Sequence, residues 1–120
     1  MIEAARATGL YTETVDLDVI ADADFLYTDT WLDMEFFLDP TYEAEKKRRL
    51  EVFAPYQINA ALLERTDALV MHCLPAHKGY EVTAGVMASD RCVAVDQAEN
   101  RMHIQKAILM RLAGPEKVKR

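Results

Sequence analysis

The feature that most constrains this chain is the run Ala-Leu-Val-Met at residues 68–71, which passes without a spacer into His72-Cys73-Leu74-Pro75. A continuous apolar run of strand length suits a strand covered on both faces, as in a parallel sheet between helices. Two other segments share the pattern: residues 25–28 end at Asp29, and residues 92–95 end at Asp96. Residues 11–15, with their β-branched side chains, make a further candidate strand. Helical signals lie between and around these runs. Residues 2–8 read as the end of a helix stopped by Gly9, and residues 16–21 as a weak helical connector. Asp39-Pro40 pairs an N-cap with proline at the first helical position, opening a helix over residues 41–53. Asn59 caps a short helix through Glu64, Thr83 begins another, and residues 100–112 form an amphipathic helix closed by Gly114-Pro115. Four short strands separated by helices predict an α/β fold, a parallel sheet flanked by helices, with ligands beyond the carboxyl ends of the strands. Asp29 and its successors, residues 72–79 and residues 96–101 are therefore the places for chemistry.

Composition narrows the function classes. A chain of 120 residues has room for one domain. Its apolar runs fall far short of a bilayer crossing, and its first residues lack the basic start and apolar core of a signal peptide, so a cytoplasmic protein without membrane partners is expected. Fourteen Lys and Arg against twenty Asp and Glu give a net charge of −6. That balance offers no basic surface for nucleic acid. Cys73 and Cys92 form no CxxC pair, and His72, His77 and His103 have no metal-ligand spacing, so neither a disulfide framework nor a metal is expected. The charge run at residues 43–49 reads as a solvated helix face, with Glu43 spaced to pair with Lys47 and Glu45 with Arg49.

HCLPAHKG (residues 72–79) followed by EVT, the downstream DQAENRMHIQKA (residues 96–107), and Tyr56-Gln57-Ile58-Asn59 resemble motifs of the carboxyl-terminal domain of ornithine carbamoyltransferases. The likeness runs from residue 21 to residue 112. It implies a Rossmann-like second domain and transfer of a carbamoyl group from carbamoyl phosphate to L-ornithine, giving L-citrulline and phosphate in arginine metabolism. It also implies that Asp29, Cys73 and the backbone carbonyl of Leu74 surround the substrate's side-chain amine, with His72 beside them and a cis bond at Leu74-Pro75. Arg101 corresponds to the arginine that contacts carbamoyl phosphate, where a guanidinium holds the carbonyl oxygen as it gains charge. No cofactor and no covalent cysteine intermediate are implied. Taken without the resemblance, Cys73 reads as a small buried hydrophobe, Arg101 as a surface arginine and His72 as a core histidine with a backbone partner.

Two departures from the family stand out. The Ser-Thr-Arg-Thr-Arg and His-Pro-x-Gln segments that bind carbamoyl phosphate in the family's amino-terminal domain have no counterpart here, nor has the asparagine near the start of its second domain. Residues 1–120 are therefore expected to be a partial ornithine-binding domain, inactive alone, from a parent that forms a homotrimer or a multiple of it. Secondly, the family's Asp-x-x-x-Ser-Met-Gly loop reads here as Asp29, then Asp33-Met34-Glu35. The serine and methionine of that loop hold the amino-acid end of ornithine, and a carboxylate at Asp33 would repel the substrate's own carboxylate. Lys78 and Tyr80 also replace the usual arginine and glutamate. Either the loop takes another path, helped by Phe36-Phe37, or the acceptor is putrescine or a modified ornithine. A noncatalytic amino-acid-binding or assembly module is the alternative from another class. The last helix carries Met102, Ile104, Ile108, Leu109 and Leu112, which cannot all face one small sheet.

Overall fold

Two parallel strands carry the edge on which the motifs gather. In the computed structural model, which describes residues 1–114, β1 (Phe25–Thr28) pairs with β2 (Leu69–His72) in the register Phe25 to Leu69 through Thr28 to His72. Because the strands run in parallel with Thr28 opposite His72, both chains leave the sheet at the same end. Asp29 and Cys73 are thereby brought side by side. Beneath the sheet, Ile58, Leu63, Val70, Val82 and Val86 form the core, joined by Leu26, Leu62, Ala76 and Met87.

Helices begin where local side chains satisfy their first amides. Asp16 accepts from the Asp18 N–H at the start of a 3₁₀ turn, Leu17–Asp22, and Asp39 accepts from Thr41 N–H ahead of Pro40. Asn59 Oδ1 accepts from Leu62 N–H to start α4 (Ala60–Leu63), and Thr83 Oγ1 accepts from Val86 N–H to start α5 (Ala84–Met87). Each bond satisfies an amide that has no carbonyl partner in the first turn. The other helices are α1 (Ile2–Ala7), which ends just before Gly9 at φ +71°, α2 (Glu35–Leu38), α3 (Glu43–Phe53) and α6 (Ala94–Ala113). Pro115, expected to close the last helix, lies outside the described residues.

Several expectations change. Residues 11–15 are not a strand: Leu10, Tyr11 and Val15 are exposed, and a strand without a ladder partner has nothing to hold it extended. Residues 92–95 shrink to a single parallel bridge between Val70 and Cys92, in which Val70 N–H donates to Arg91 O and Val93 N–H to Val70 O. The chain then turns at once into α6, with Gln97 N–H donating to Val93 O, so the last helix starts at Ala94 rather than Asn100. On α3, Glu45 pairs with Arg49 as expected and also with Arg48, which together hold its carboxyl down at about 2. Glu43 pairs with Lys46 instead of Lys47.

Arg91 supplies a device that no local pattern announces. Its guanidinium donates to the carbonyls of Leu63, Thr66 and Ala68, closing the carboxyl end of α4 onto the approach to β2. The Cα radius of gyration is 18.4 Å, against about 14 Å for a compact domain of this length. Part of the excess is α6, whose sole buried residue is Ala94.

Candidate active site

Asp29 and Cys73 meet where β1 and β2 end. The Cys73 thiol donates to Asp29 Oδ1 at 2.8 Å, and the Thr30 N–H donates to the same oxygen at 2.7 Å. These two donors hold the Asp29 carboxyl below the usual carboxylate range, the thiol's bond being the larger cause. Burial pushes the Cys73 thiol up, and the hydrogen bond and charge of Asp29 add to that effect. At neutral pH the pair is therefore a carboxylate and a protonated thiol. Nucleophilic cysteine chemistry, which needs the thiolate, is disfavoured by both groups.

His72 is buried behind this pair. Its Nδ1 accepts the Leu74 N–H at 2.8 Å, so Nε2 carries the proton and donates to Glu81 Oε1 at 3.2 Å. Glu81, itself fully buried, also accepts the His77 N–H at 2.5 Å. Leu74 adopts φ +53°, a left-handed conformation uncommon for a residue with a branched side chain, and its bond to Pro75 is cis. Two side chains thus clamp a sharp turn directly after Cys73. The backbone N–H of His72 donates to Gln97 Oε1 at 3.1 Å, which ties α6 to the strand end.

A cleft of about 340 Å³ opens at this edge, lined by Tyr27, His72, Cys73, Gln97, Ala98 and Arg101. Arg101, one turn along α6 from Gln97, adds a cation to the lining. Of the residues singled out in the sequence, His72, Cys73 and Arg101 line this cleft, Asp29 bonds to Cys73, and Leu74 follows in the turn. Asp33 and Met34 do not line it. Asp33 is largely exposed, its Oδ2 lying 3.9 Å from Arg49 Nη1 on α3, and Met34 is 64% exposed. The path of the loop explains this: Trp31 packs on Phe53 at 5.6 Å, Phe36 is buried with the Arg49 guanidinium 4.4 Å from its ring centroid, and Asp33 is drawn outward.

Sequence reasoning missed Gln97, Glu81, Thr30 and His77. Glu81 figured only as the first residue of EVT, and Gln97 only as part of DQAENR. Thr30 and His77 carried no sign of the 2.8 Å contact between Thr30 Oγ1 and His77 Nδ1.

A parallel α/β edge whose strand ends bring a carboxylate onto a thiol, with that thiol and a guanidinium lining one cleft, defines an α/β domain with its polar side chains gathered at the strand ends. The chain belongs to the aspartate/ornithine carbamoyltransferases: residues 2–112 match the family's Asp/Orn binding domain. It is 53% identical over 94 residues to the ornithine carbamoyltransferase of Syntrophus aciditrophicus, a match covering 77% of this chain and 29% of that protein. Among solved structures, the ornithine carbamoyltransferase from Pyrococcus furiosus superposes with a TM-score of 0.66 at 45% identity, covering 78% of this chain and 28% of that one. An N-acetyl-L-ornithine transcarbamylase variant complexed with carbamyl phosphate and N-succinyl-L-norvaline gives 0.63 at 35% identity, covering 80% and 29%. The chain spans about a third of the length of the curated relatives it matches.

Proposed function

We propose that this chain is the acceptor-binding part of an ornithine carbamoyltransferase, acting in the reaction of carbamoyl phosphate with L-ornithine to give L-citrulline and phosphate. The observation that carries the reading is the Asp29 carboxylate, held ionised against the protonated Cys73 thiol, which lines a cleft together with Arg101. Ornithine's side-chain amine arrives as a cation. Asp29 attracts and orients it, and the carbonyl of Leu74 accepts another of its protons; a carboxylate held this low anchors the amine rather than removing its proton efficiently. After one proton has passed to solvent, the neutral amine attacks the carbamoyl carbon while Arg101 stabilises the oxygen on which negative charge develops. As the bond from that carbon to the phosphate oxygen breaks, the nitrogen's surplus proton leaves on the departing phosphate. The groups that neutralise that phosphate belong, in this reading, to the parts of the relatives that this chain does not span.

The outward turn of Asp33 removes the objection it raised to ornithine as acceptor. Its charge faces water and Arg49, so it does not repel the carboxylate of an amino acid in the cleft. Isothermal titration with L-ornithine, N-acetyl-L-ornithine and putrescine tests the acceptor directly. Binding of L-ornithine that is lost in Asp29→Asn supports the proposal. Preference for putrescine, or binding unchanged by Asp29→Asn, overturns it.

A further inference from the structure

We propose that His77 is a positioning residue that clamps both ends of the acceptor loop, residues 29–38, and acts through Thr30 on Asp29. The role of the loop rests on the proposed function; the clamp is visible in the geometry itself. At one end Thr30 Oγ1 donates to Leu32 O at 3.0 Å, which uses its single proton, so His77 Nδ1 carries a hydrogen and donates to Thr30 Oγ1 at 2.8 Å. At the other end the imidazole stacks on Phe37, with ring centroids 4.7 Å apart and planes 26° from parallel. Tyr80 extends the stack, 6.5 Å from Phe37, and Lys46 Nζ lies 5.1 Å from the Phe37 centroid. One side chain therefore touches residues seven apart in sequence, on either side of the stretch that holds the exposed Asp33 and Met34.

The clamp has a rigid base. His77 N–H donates to the buried Glu81, Tyr80 N–H to His77 O, and Gly79 N–H to Val82 O. From beneath, Gln57 Nε2 donates to the carbonyls of Gly79 and Tyr80. What the clamp fixes is chemically relevant, because the Thr30 N–H is one of the two donors on Asp29 Oδ1. Releasing Thr30 frees Asp29 to leave Cys73, and the thiol then loses the neighbouring charge that helps to hold it up.

Cys73 reports on the Thr30 end, and Trp31, the single tryptophan of the chain, on the stretch of loop between the two ends, without any ligand. The experiment measures the pH profile of Cys73 alkylation, resolved from Cys92 by mass spectrometry, together with acrylamide quenching of Trp31. His77→Phe keeps the stack and loses the donor, Thr30→Val removes the acceptor, and His77→Asn keeps a donor near Nδ1 while losing the aromatic face. Expected are a Cys73 profile displaced to lower pH in His77→Phe and Thr30→Val, with alkylation at fixed pH faster by about twofold, less than the loss of the Asp29 charge itself would give. His77→Asn restores the profile while quenching of Trp31 rises. Wild-type behaviour in both His77→Phe and Thr30→Val overturns the clamp. If His77→Phe proves unfolded by circular dichroism, Thr30→Val decides: a displaced profile supports the proposal and an unchanged one defeats it. Failure of the ornithine reading shows separately, as a wild-type Cys73 that ornithine does not protect.

Discussion

The strand-end turn and the outer part of α6 handle burial in opposite ways. Around β2, Val70, His72, Glu81 and Val82 are almost wholly enclosed, and the polar members share a hydrogen-bond network that runs from Leu74 N–H through His72 to Glu81 and His77 N–H. Only Glu81 Oε2 lacks a partner among the described residues. On α6, by contrast, Met102, Ile104, Ile108, Leu109 and Leu112 are all more than half exposed, with nothing in the chain's described part packed over them. The first region puts polar groups inside and satisfies them. The second leaves apolar groups outside. The difference teaches that the site-bearing turn is held by its own contacts, whereas the helix that carries Arg101 is anchored only at its start, by Ala94, Gln97 and the β2 contact.

Attacking the network should have the largest effect. Glu81→Ala removes the acceptor for two enclosed donors, His72 Nε2–H and His77 N–H, and should cost about 3 kcal/mol, read as a lower midpoint in urea unfolding. A cost below about 0.5 kcal/mol would mean that water satisfies those donors and that the two regions are less different than they look. Next in size is the response of the uncovered helix. Apolar patches of this extent drive association, so light scattering should detect oligomers that Ile104→Ser, Ile108→Ser and Leu112→Ser together dissolve, without lowering the urea midpoint. A soluble monomer in the unaltered chain would remove this half of the comparison.

A smaller effect sharpens the site itself. Asp29→Asn removes the charge that helps to raise the Cys73 pKa but leaves the larger contribution from burial, so alkylation at pH 8 should accelerate by only about threefold. The sign follows from the two shifts: Asp29, held low, stays ionised until the pH falls through its depressed pKa, and Cys73, held high, stays protonated beyond the ordinary thiol range. A slower reaction in Asp29→Asn would contradict the pairing. The least effect is expected at Asp33. Asp33→Ser should change the dissociation constant for ornithine, read by isothermal titration, by less than about twofold, because the exposed carboxylate sees Arg49 and water. A larger gain in ornithine affinity would place Asp33 at the substrate.

Legibility followed the range of the interactions. Asp39, Asn59 and Thr83 were readable as caps because each bonds an amide two or three residues on, whatever the rest of the chain does. Residues 11–15 and 92–95 were misread as strands because a strand is made by its neighbour. The first has no ladder partner among the described residues, and the second meets Val70 at one position before α6 begins. At the candidate site, Asp29, Cys73 and Arg101 were singled out by the resemblance of their motifs. His77, Thr30, Gln97 and Glu81 were passed over because their partners lie elsewhere in the fold.

By itself the sequence determined the capped starts at Asp39, Asn59 and Thr83, the buried character of β2 and the membership of the chain in its family, all of which depend on residue order over short spans. Tertiary structure alone decided that Asp33 faces Arg49 rather than the cleft, that Glu81 is the buried partner of His72, and that one imidazole grips both ends of the acceptor loop. The physical reason is that a hydrogen bond across 47 residues, such as that between Thr30 and His77, depends on the register of two strands and the direction of a turn. Neither has a period or a spacing that can be read along the chain.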